Sequence, residues 1–264
     1  MSKILAKIRI IYIHLGVSLL SINDMQVNGI QINKYISSTG YCSRREAEKL
    51  IEQARVMIND NVALLTDRVT ERDTVIVDFE VLKKSKVQQD IIIAFNKPAG
   101  ITTTTDLHDK TNIISFINYP KRIVPIGRLD KDSDGLIFLT NNGDYVNKIL
   151  RAGNQHEKEY VVTVNKSITP EFIQHMANGV PVLGKMTLKC KVRKLGSKKF
   201  SIILVQGMNR QIRRMCEYLG YDVIGLTRVR IMNIQLDAIK LGKYRLLNEQ
   251  EMKKLNEMIK NSVG

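Results

Sequence analysis

The sequence predicts an α+β fold: a mixed, mostly antiparallel sheet with helices, preceded by a smaller module. Short stretches of alternating apolar residues, typical of half-buried strands, occur between short amphipathic helices in irregular order. A polar, charged stretch at residues 83–90 separates a shorter first part from a longer second part and is predicted to be a linker. Strands and helices in such an irregular alternation indicate the α+β class.

Residues 1–29 are predicted to be a disordered N-terminal extension. Ile4–Leu20 is rich in apolar residues and could be mistaken for a secretory signal. Charged side chains such as Lys7 and Arg9 interrupt it, and no small-residue cleavage site follows. Regular patterning begins only after Met25, so the working protein is expected to start near that residue.

Residues 30–82 form the predicted first module. Apolar residues follow Ser43 at helical spacing, which predicts a short amphipathic helix with Ser43 as its N-cap. Short strands are expected at residues 56–58 and 74–79, with a turn at residues 59–61.

Residues 91–264 form the predicted second domain. Its expected strands cover residues 91–96, 123–126, 136–140, 160–164 and 200–205. A first helix is expected at residues 145–150, and a second begins with Pro170 and ends before Gly179. A third is expected to be capped by Asn209 and to end at Gly220.

Charge is distributed unevenly along the chain. The formal net charge is +15, and residues 181–264 contain 18 Lys and Arg against 6 Asp and Glu. Lys185–Arg214 contains ten basic residues and no acidic one. A folded basic surface of this kind predicts a polyanionic partner, most often a nucleic acid, with a membrane surface as the alternative. No apolar run reaches the ~18 residues of a membrane span, so no membrane partner is expected.

Cysteine and histidine give no sign of a metal site. The three cysteines are widely spaced, no CxxC pair is present, and the four histidines form no ligand pair at helical or hairpin spacing. We therefore expect no bound metal and free thiols in a reducing, cytoplasmic compartment.

The loop Gly127–Gly135, with the sequence GRLDKDSDG, is the most polar short stretch of the chain. Its alternating aspartates match the first half of a calcium loop, but Asn141 stands at the twelfth position, where a bidentate Glu is required. A carboxylate pair for glycoside hydrolysis is a second interpretation. A solvated turn is the simplest one, and composition alone favours it.

Other motifs accompany this loop. Asn96–Gly100 reads NKPAG, Lys158–Tyr160 reads KEY, and Val205–Met215 reads VQGMNRQIRRM. In this order, the motifs resemble those of the pseudouridine synthases, in the branch that modifies ribosomal RNA. Ile32–Asn59 resembles the S4-like RNA-binding module that precedes the catalytic domain in that branch. The resemblance covers about residues 30–248. Within the branch, the F type of the synthases that act on the large ribosomal RNA is the most similar.

The resemblance implies an isomerase that converts a specific uridine of 23S ribosomal RNA to pseudouridine. The C–N glycosidic bond breaks, the base turns, and C5 rejoins the sugar, so no metal, nucleotide or other cofactor is needed. The catalytic carboxylate corresponds to Asp130, acting as nucleophile or base. Tyr160 corresponds to the tyrosine that stacks on the target base, and Arg213 to the cation that keeps the carboxylate ionised.

Further residues are implied to contact the substrate. Arg128 corresponds to an arginine that holds the flipped-out site open, and Leu204 to an apolar residue near Tyr160. Arg210 and Arg214 are expected to bind substrate beside them. A folded RNA hides its bases, so the uridine must be extruded and a second RNA contact is expected. The S4-like module is expected to supply phosphate contacts through Lys34, Arg44, Arg45, Lys49 and Arg55.

Simpler alternatives remain for these residues. Tyr160 and Leu204 also fit a buried strand, Arg128 a phosphate contact, and Arg213 an i, i+4 ion pair with Glu217. For the whole protein, expected to be a monomer, one alternative is a tRNA-directed synthase with the same chemistry. The other is a non-catalytic RNA-binding factor for ribosome assembly, which would not need Asp130, Tyr160 and Arg213 together.

Overall fold

The computed structural model describes residues 29–82, 89–237 and 239–262, which form two compact units, one on each side of the gap at 83–88. The predicted extension, except residue 29, and most of the predicted linker lie outside the described residues. The domain boundaries drawn from them therefore stay predictions. None of the described helices has the length and apolar character that a membrane crossing requires.

The first unit packs two helices on short antiparallel strands. Its elements are β1 (Ile30–Gln31), α1 (Ile32–Ser38), α2 (Arg44–Glu52), β2 (Val56–Ile58), β3 (Asn61–Val62), β4 (Arg68–Val69), β5 (Val75–Val77) and β6 (Glu80–Leu82). One sheet has the order β3-β2-β5-β6, and β1 pairs with β4. The Ser43 hydroxyl accepts the Glu46 N–H at 3.1 Å, which confirms the predicted cap of α2. Asp78 and Phe79, predicted as strand, form the turn between β5 and β6.

The second unit is built on one large sheet. Its elements are β7 (Ile92–Lys97), α3 (Ile113–Ile117), β8 (Val124–Ile126), β9 (Asp134–Thr140), α4 (Asp144–Leu150), β10 (Lys158–Val164), α5 (Pro170–Asn178), β11 (Pro181–Val182), β12 (Lys185–Met186), β13 (Lys191–Gly196), β14 (Lys199–Leu204), α6 (Gln211–Tyr218), β15 (Val223–Ile231), β16 (Ile234–Gln235), β17 (Tyr244–Leu246) and α7 (Glu249–Ile259). The sheet order is β13-β14-β10-β15-β9-β7-β17, with β8 on β9 and β16 on β15.

All neighbouring strands of this sheet run antiparallel except β9 and β15, which run parallel. This confirms the predicted fold class, a mixed and mostly antiparallel α+β architecture. Apolar side chains of β10, β14, α5 and α6 form one core, and those of β7, β9, α4 and α7 form a second. The parallel pair joins the two halves of the sheet.

The predicted start of α6 is wrong. The residue that precedes the helix is Arg210, which has a φ of 49° and no capping side chain. Asn209 instead accepts hydrogen bonds from the Arg214 guanidinium, at its carbonyl oxygen (3.1 Å) and at Oδ1 (3.2 Å). Gln211 closes the turn because its Oε1 accepts the Met208 N–H at 3.0 Å. The predicted end is confirmed, since Gly220 follows the last turn with a φ of 75°.

Gly135 lies where β9 and β15 meet. The polar loop, predicted to run to residue 135, is shorter, because Asp134 and Gly135 already belong to β9 and pair with Thr227 and Arg228. Gly135 has a φ of 103°, and a Cβ there would lie 2.6 Å from the Arg228 backbone nitrogen and closer still to its carbonyl oxygen. Only glycine allows the two strands to approach in this way.

We expect Gly135→Ala to destabilise the second unit by more than the ~1–3 kcal/mol that a disfavoured φ alone costs, because the new Cβ also pushes β9 away from β15. The free energy of unfolding in urea measures this loss. Gly143→Ala is the matched control, because Gly143 has a φ of −65° and open space around its Cα. Equal stability of the two variants would contradict the packing described at this junction.

Candidate active site

A cleft of about 390 Å³ opens on the second unit beside the junction of β9 and β15. The loop before β9, strands β10 and β15, the end of β14 and the turn before α6 form its walls. Five of the predicted site residues line it: Arg128, Asp130, Tyr160, Leu204 and Arg210. Its volume lies within the ~300–1,000 Å³ that is typical of small-molecule pockets, and it accommodates a unit such as one nucleotide.

The loop that carries Asp130 is held in place from both sides. Thr103 Oγ1 donates to the Leu129 carbonyl at 2.8 Å, and the Gly100 N–H donates to the Lys131 carbonyl at 2.7 Å. The Ser133 N–H donates to the Asp130 carbonyl at 3.1 Å and closes a turn. The Asp130 carboxylate, about a third exposed, is therefore presented to the cleft from a backbone that is fixed before substrate arrives.

Lys97 explains the NKPAG motif beside this loop. Its side chain is fully buried, and its ammonium donates to the carbonyls of Pro98 (2.8 Å), Ile101 (2.9 Å) and Lys131 (3.4 Å). Burial lowers the pKa of Lys97 to about 8. Lys97 thus ties the end of β7 to the polar loop and does not line the cleft.

Two arginines stand beside Asp130. Arg210 Nη1 lies 3.2 Å from Asp132 Oδ2 and 4.0 Å from Asp130 Oδ2. The hydrogen bond from Arg210 holds the pKa of Asp132 below its usual value. Arg213 Nε also lies 4.0 Å from Asp130 Oδ2, and this nitrogen is buried without a hydrogen-bond partner in the described residues. At these distances neither cation donates a direct hydrogen bond to the Asp130 oxygen.

Arg213 sits behind the loop and not in the cleft wall. Its guanidinium donates to the Asp132 carbonyl, the Ser133 hydroxyl and the Val223 carbonyl, each at 3.2 Å. These contacts replace the helical ion pair with Glu217 that its spacing allowed. Arg213 therefore fastens the Asp130 loop to the start of β15.

Tyr160 and Leu204 lie on neighbouring strands. Leu204 is buried, whereas Tyr160 is half-buried and contacts two apolar clusters, the core of β10, β14, α5 and α6 and a further cluster of β7, β9 and α3. The guanidinium of Arg228 lies 5.9 Å from the centre of the Tyr160 ring. Tyr160 is thus more than a core residue, because part of its ring faces the cleft beside Asp130.

Arg214, predicted to bind substrate, is not among the described residues that line the cleft. Its guanidinium is held by Asn209, so its visible role is to shape the turn before α6.

The predicted phosphate contacts of the first unit differ in their surroundings. Arg44 and Arg45 form the exposed first turn of α2, where the helix dipole adds to their positive charge. Lys49 is exposed on the same helix, and Lys34 on α1 is half-buried. Arg55 is bound to Asp78, whose Oδ1 accepts its Nε–H at 2.7 Å, and this pairing reduces its availability for phosphate.

Sequence reasoning missed Lys158 and Arg228 as members of the site, although both line the cleft. Lys158 belongs to the KEY motif, but its position in the cleft depends on strand pairing. Arg228 lies on β15, which was not predicted. The alternation of basic and apolar residues from Arg228 to Ile231 was the available signal for that strand.

The site therefore combines a carboxylate, an aromatic ring and several cations in a cleft on a basic protein. This is the arrangement of an enzyme that acts on one unit of a polyanion. Within the described residues, no group of three or more His, Cys, Asp or Glu side chains is placed to hold a metal ion.

Known proteins resemble this chain along most of its length. Residues 91–218 match the RNA pseudouridylate synthase family, and residues 31–75 match the S4 domain. The dual-specificity RNA pseudouridine synthase RluF of Escherichia coli (strain K12) is 54% identical over 89% of this chain and 81% of its own length. The ribosomal large subunit pseudouridine synthase B of Bacillus subtilis (strain 168) is 33% identical over 86% of this chain and 96% of its own length. A crystal structure of a pseudouridylate synthase superposes with a TM-score of 0.63 at 27% identity, covering 86% of this chain and 99% of that one.

The chain belongs to the RNA pseudouridine synthase family, with an S4 domain at its N-terminal side. It is an isomerase that converts uridine to pseudouridine in RNA.

Proposed function

We propose that this chain isomerises a specific uridine of 23S ribosomal RNA, with Asp130 as the nucleophile or base. The observation that carries the proposal is the position of Asp130, on a fixed loop in a nucleotide-sized cleft, beside Tyr160 and two arginines. A protein that only bound RNA would have no use for a carboxylate held at that position. The name of the B. subtilis relative specifies the large ribosomal subunit and supports this substrate.

The reaction starts with a uridine turned out of the RNA. Stacking on Tyr160 and packing against Leu204 hold the base, and Arg128, which lines the cleft, helps to hold the flipped-out site open. Asp130 then attacks C1′ or removes the C2′ proton while the C1′–N1 bond breaks. Arg210 and Arg213 each place a positively charged nitrogen 4.0 Å from an Asp130 carboxylate oxygen, and Arg213 also holds the loop that carries Asp130.

A second RNA substrate is part of the proposal, because the E. coli relative is described as having dual specificity. A tRNA is the candidate that we test. We place the reaction in the cytoplasm, where both RNAs are found. We also propose that the protein acts as a monomer, because all the proposed catalytic groups belong to one unit of one chain.

Purified protein incubated with unmodified transcripts tests this proposal. Pseudouridine is then mapped along 23S ribosomal RNA and along a set of tRNAs. We expect at least one specific site in the 23S RNA. Modification of tRNA alone would overturn the substrate assignment, and no modification of any transcript would overturn the proposed function.

We expect Arg44→Ala combined with Arg45→Ala to weaken RNA binding, because two exposed charges at the start of α2 are lost. The slope of log affinity against log salt should fall by roughly 1.4–1.8, the contribution of two phosphate contacts. Arg55→Ala is the control, since Asp78 already neutralises that guanidinium. An unchanged salt slope of the double variant would show that α2 does not contact RNA phosphates.

A further inference from the structure

Two cations in the cleft wall have no carboxylate partner among the residues that the structure describes. Arg228 is only 3% exposed, and its Nε–H donates to the Leu136 carbonyl at 2.6 Å. Its Nη2 is buried and has no hydrogen-bond partner among the described residues. A buried guanidinium nitrogen without a partner is costly, so such a group calls for an explanation.

Lys158 is the second cation. Its ammonium donates to the His156 carbonyl at 3.1 Å, and that contact uses one of its three N–H groups. Burial lowers the pKa of Lys158 to about 8, and the positive charge of Arg228 contributes to this shift. The two cations are therefore close enough to repel each other, and a negative charge between them would relieve the repulsion.

Neighbouring residues show how this protein neutralises a cation when the role is structural. Arg230, two residues after Arg228 on β15, donates to Glu159 at 3.0 Å and to Glu157 at 2.9 Å. In the described part of the chain neither Lys158 nor Arg228 forms an ion pair of this kind. Asp130 lines the same cleft, but its nearest cations are Arg210 and Arg213. The described carboxylates thus leave Lys158 and Arg228 without an ion pair, and a negative charge on the substrate would supply one.

We propose that Lys158 and Arg228 bind the two carbonyl oxygens of the target uracil and stabilise the negative charge that the base acquires when it leaves the sugar. This inference rests on the proposed function, since it places the base on Tyr160, which lines the cleft beside both cations and lies 5.9 Å from the Arg228 guanidinium. In a water-poor cleft, preorganised donors of this kind are more effective than water.

The electron balance of the reaction explains why two donors are useful. When the C1′–N1 bond breaks, both bonding electrons stay with N1 and spread over O2 and O4 of the ring. C1′, which loses these two electrons, either forms a bond to Asp130 or forms a double bond to C2′ as Asp130 removes the C2′ proton. C5 then bonds to C1′ with ring electrons, Asp130 leaves C1′ or returns the proton to C2′, the C5 proton is lost and N1 gains one.

The turn of the base also fits two donors. A half-turn of uracil about the axis through N3 and C6 exchanges N1 with C5 and O2 with O4. Two cations that bind O2 and O4 before the turn therefore meet the same pair of oxygens after it. They hold the detached base in the cleft and leave it free to present C5 to the sugar.

Single-turnover rates at saturating enzyme test the inference with Lys158→Met. We expect cleavage of the C1′–N1 bond to slow by ~10²–10³-fold, the usual loss for one such donor, while RNA affinity stays normal. Replacing the target uridine with 5-fluorouridine, whose base carries negative charge more easily, should shrink this deficit at least tenfold. The control is Lys253→Met. Lys253 is an exposed lysine of α7 and is not among the described residues that line the cleft.

The pH dependence gives a second readout. Lys158 has to be protonated, so the wild-type rate should fall as pH rises through about 8, and Lys158→Arg should lose less of its rate there. The charged and titratable groups around Lys158 are Arg228 on β15, His156 on its own segment, and Arg128, Asp130, Tyr160 and Arg210 in the cleft. Lys97 also titrates near pH 8, but its effect would persist in Lys158→Arg.

Three results would overturn the inference while leaving the proposed function intact. One is an equal deficit of Lys158→Met on uridine and 5-fluorouridine. The second is an alkaline decline that is as large in Lys158→Arg as in the wild type. The third is weakened RNA affinity with a normal cleavage rate, which would indicate a phosphate contact. By contrast, a wild-type protein that modifies no uridine would overturn the proposed function itself.

Discussion

Asp130→Asn is expected to abolish pseudouridine formation and to leave RNA binding intact. The amide keeps the shape of the side chain but can neither attack the sugar nor accept its proton, so the single-turnover rate should fall by at least ~10⁴-fold, as for other removed nucleophiles. Affinity should stay normal because basic residues elsewhere supply most of it. Rates and affinity are measured on the same RNA.

Asp132→Asn provides the control on the same loop. Its carboxylate is 60% exposed, is paired with Arg210 and is not among the described residues that line the cleft. We expect it to lose far less activity than Asp130→Asn. If the two variants were equally impaired, the loss would reflect distortion of the loop and not the chemistry of Asp130.

Arg213→Lys is expected to lose nearly as much activity as Arg213→Ala. A lysine keeps the positive charge near Asp130, but it lacks the two separate guanidinium nitrogens of Arg213. Nη1 binds the Val223 carbonyl and Nη2 binds the Asp132 carbonyl and the Ser133 hydroxyl, so a compact ammonium cannot join the two sides. The loop would then move, and a small displacement of a catalytic group can cost about 10²-fold in rate. The kcat of each variant is compared with that of the wild type.

Arg214→Lys separates this effect from a general loss of charge on α6. Arg214 is the next residue, but its guanidinium contacts Asn209 and not the Asp130 loop. The Arg214→Lys variant should therefore retain most of the wild-type activity. Full rescue of Arg213 by lysine would show instead that only its charge matters, and the fastening role would be wrong.

Short-range patterns predicted the local structure well. Ser43 before a run of helical spacing, and Pro170 followed by Gly179, are signals that depend only on neighbouring residues, and both helices are found there. The prediction of the start of α6 failed because Gln211, inside the helix, closes the preceding turn. Asn209 is the most suitable capping residue by type, but it binds Arg214 instead.

Long-range pairing explains what the sequence could not predict. Residues 134–135 and 227–228 meet in the parallel junction, and no local pattern indicates a contact between segments so far apart. That junction brings Arg228 beside the Asp130 cleft. The predicted carboxylate and aromatic residues could be found through motifs, whereas the two cations without carboxylate partners became visible only with the sheet order and the burial of their side chains.

A comparison of pseudouridine in ribosomal RNA tests the central claim most directly. Pseudouridines are mapped in total RNA from cells that lack this protein, and from the same cells supplied with the wild type or with Asp130→Asn. We expect at least one site in the 23S RNA to disappear without the protein, to return with the wild type and to remain absent with Asp130→Asn. An unchanged pseudouridine map would contradict the proposed function and favour a non-catalytic RNA-binding factor. A site restored by Asp130→Asn would contradict the catalytic role of Asp130.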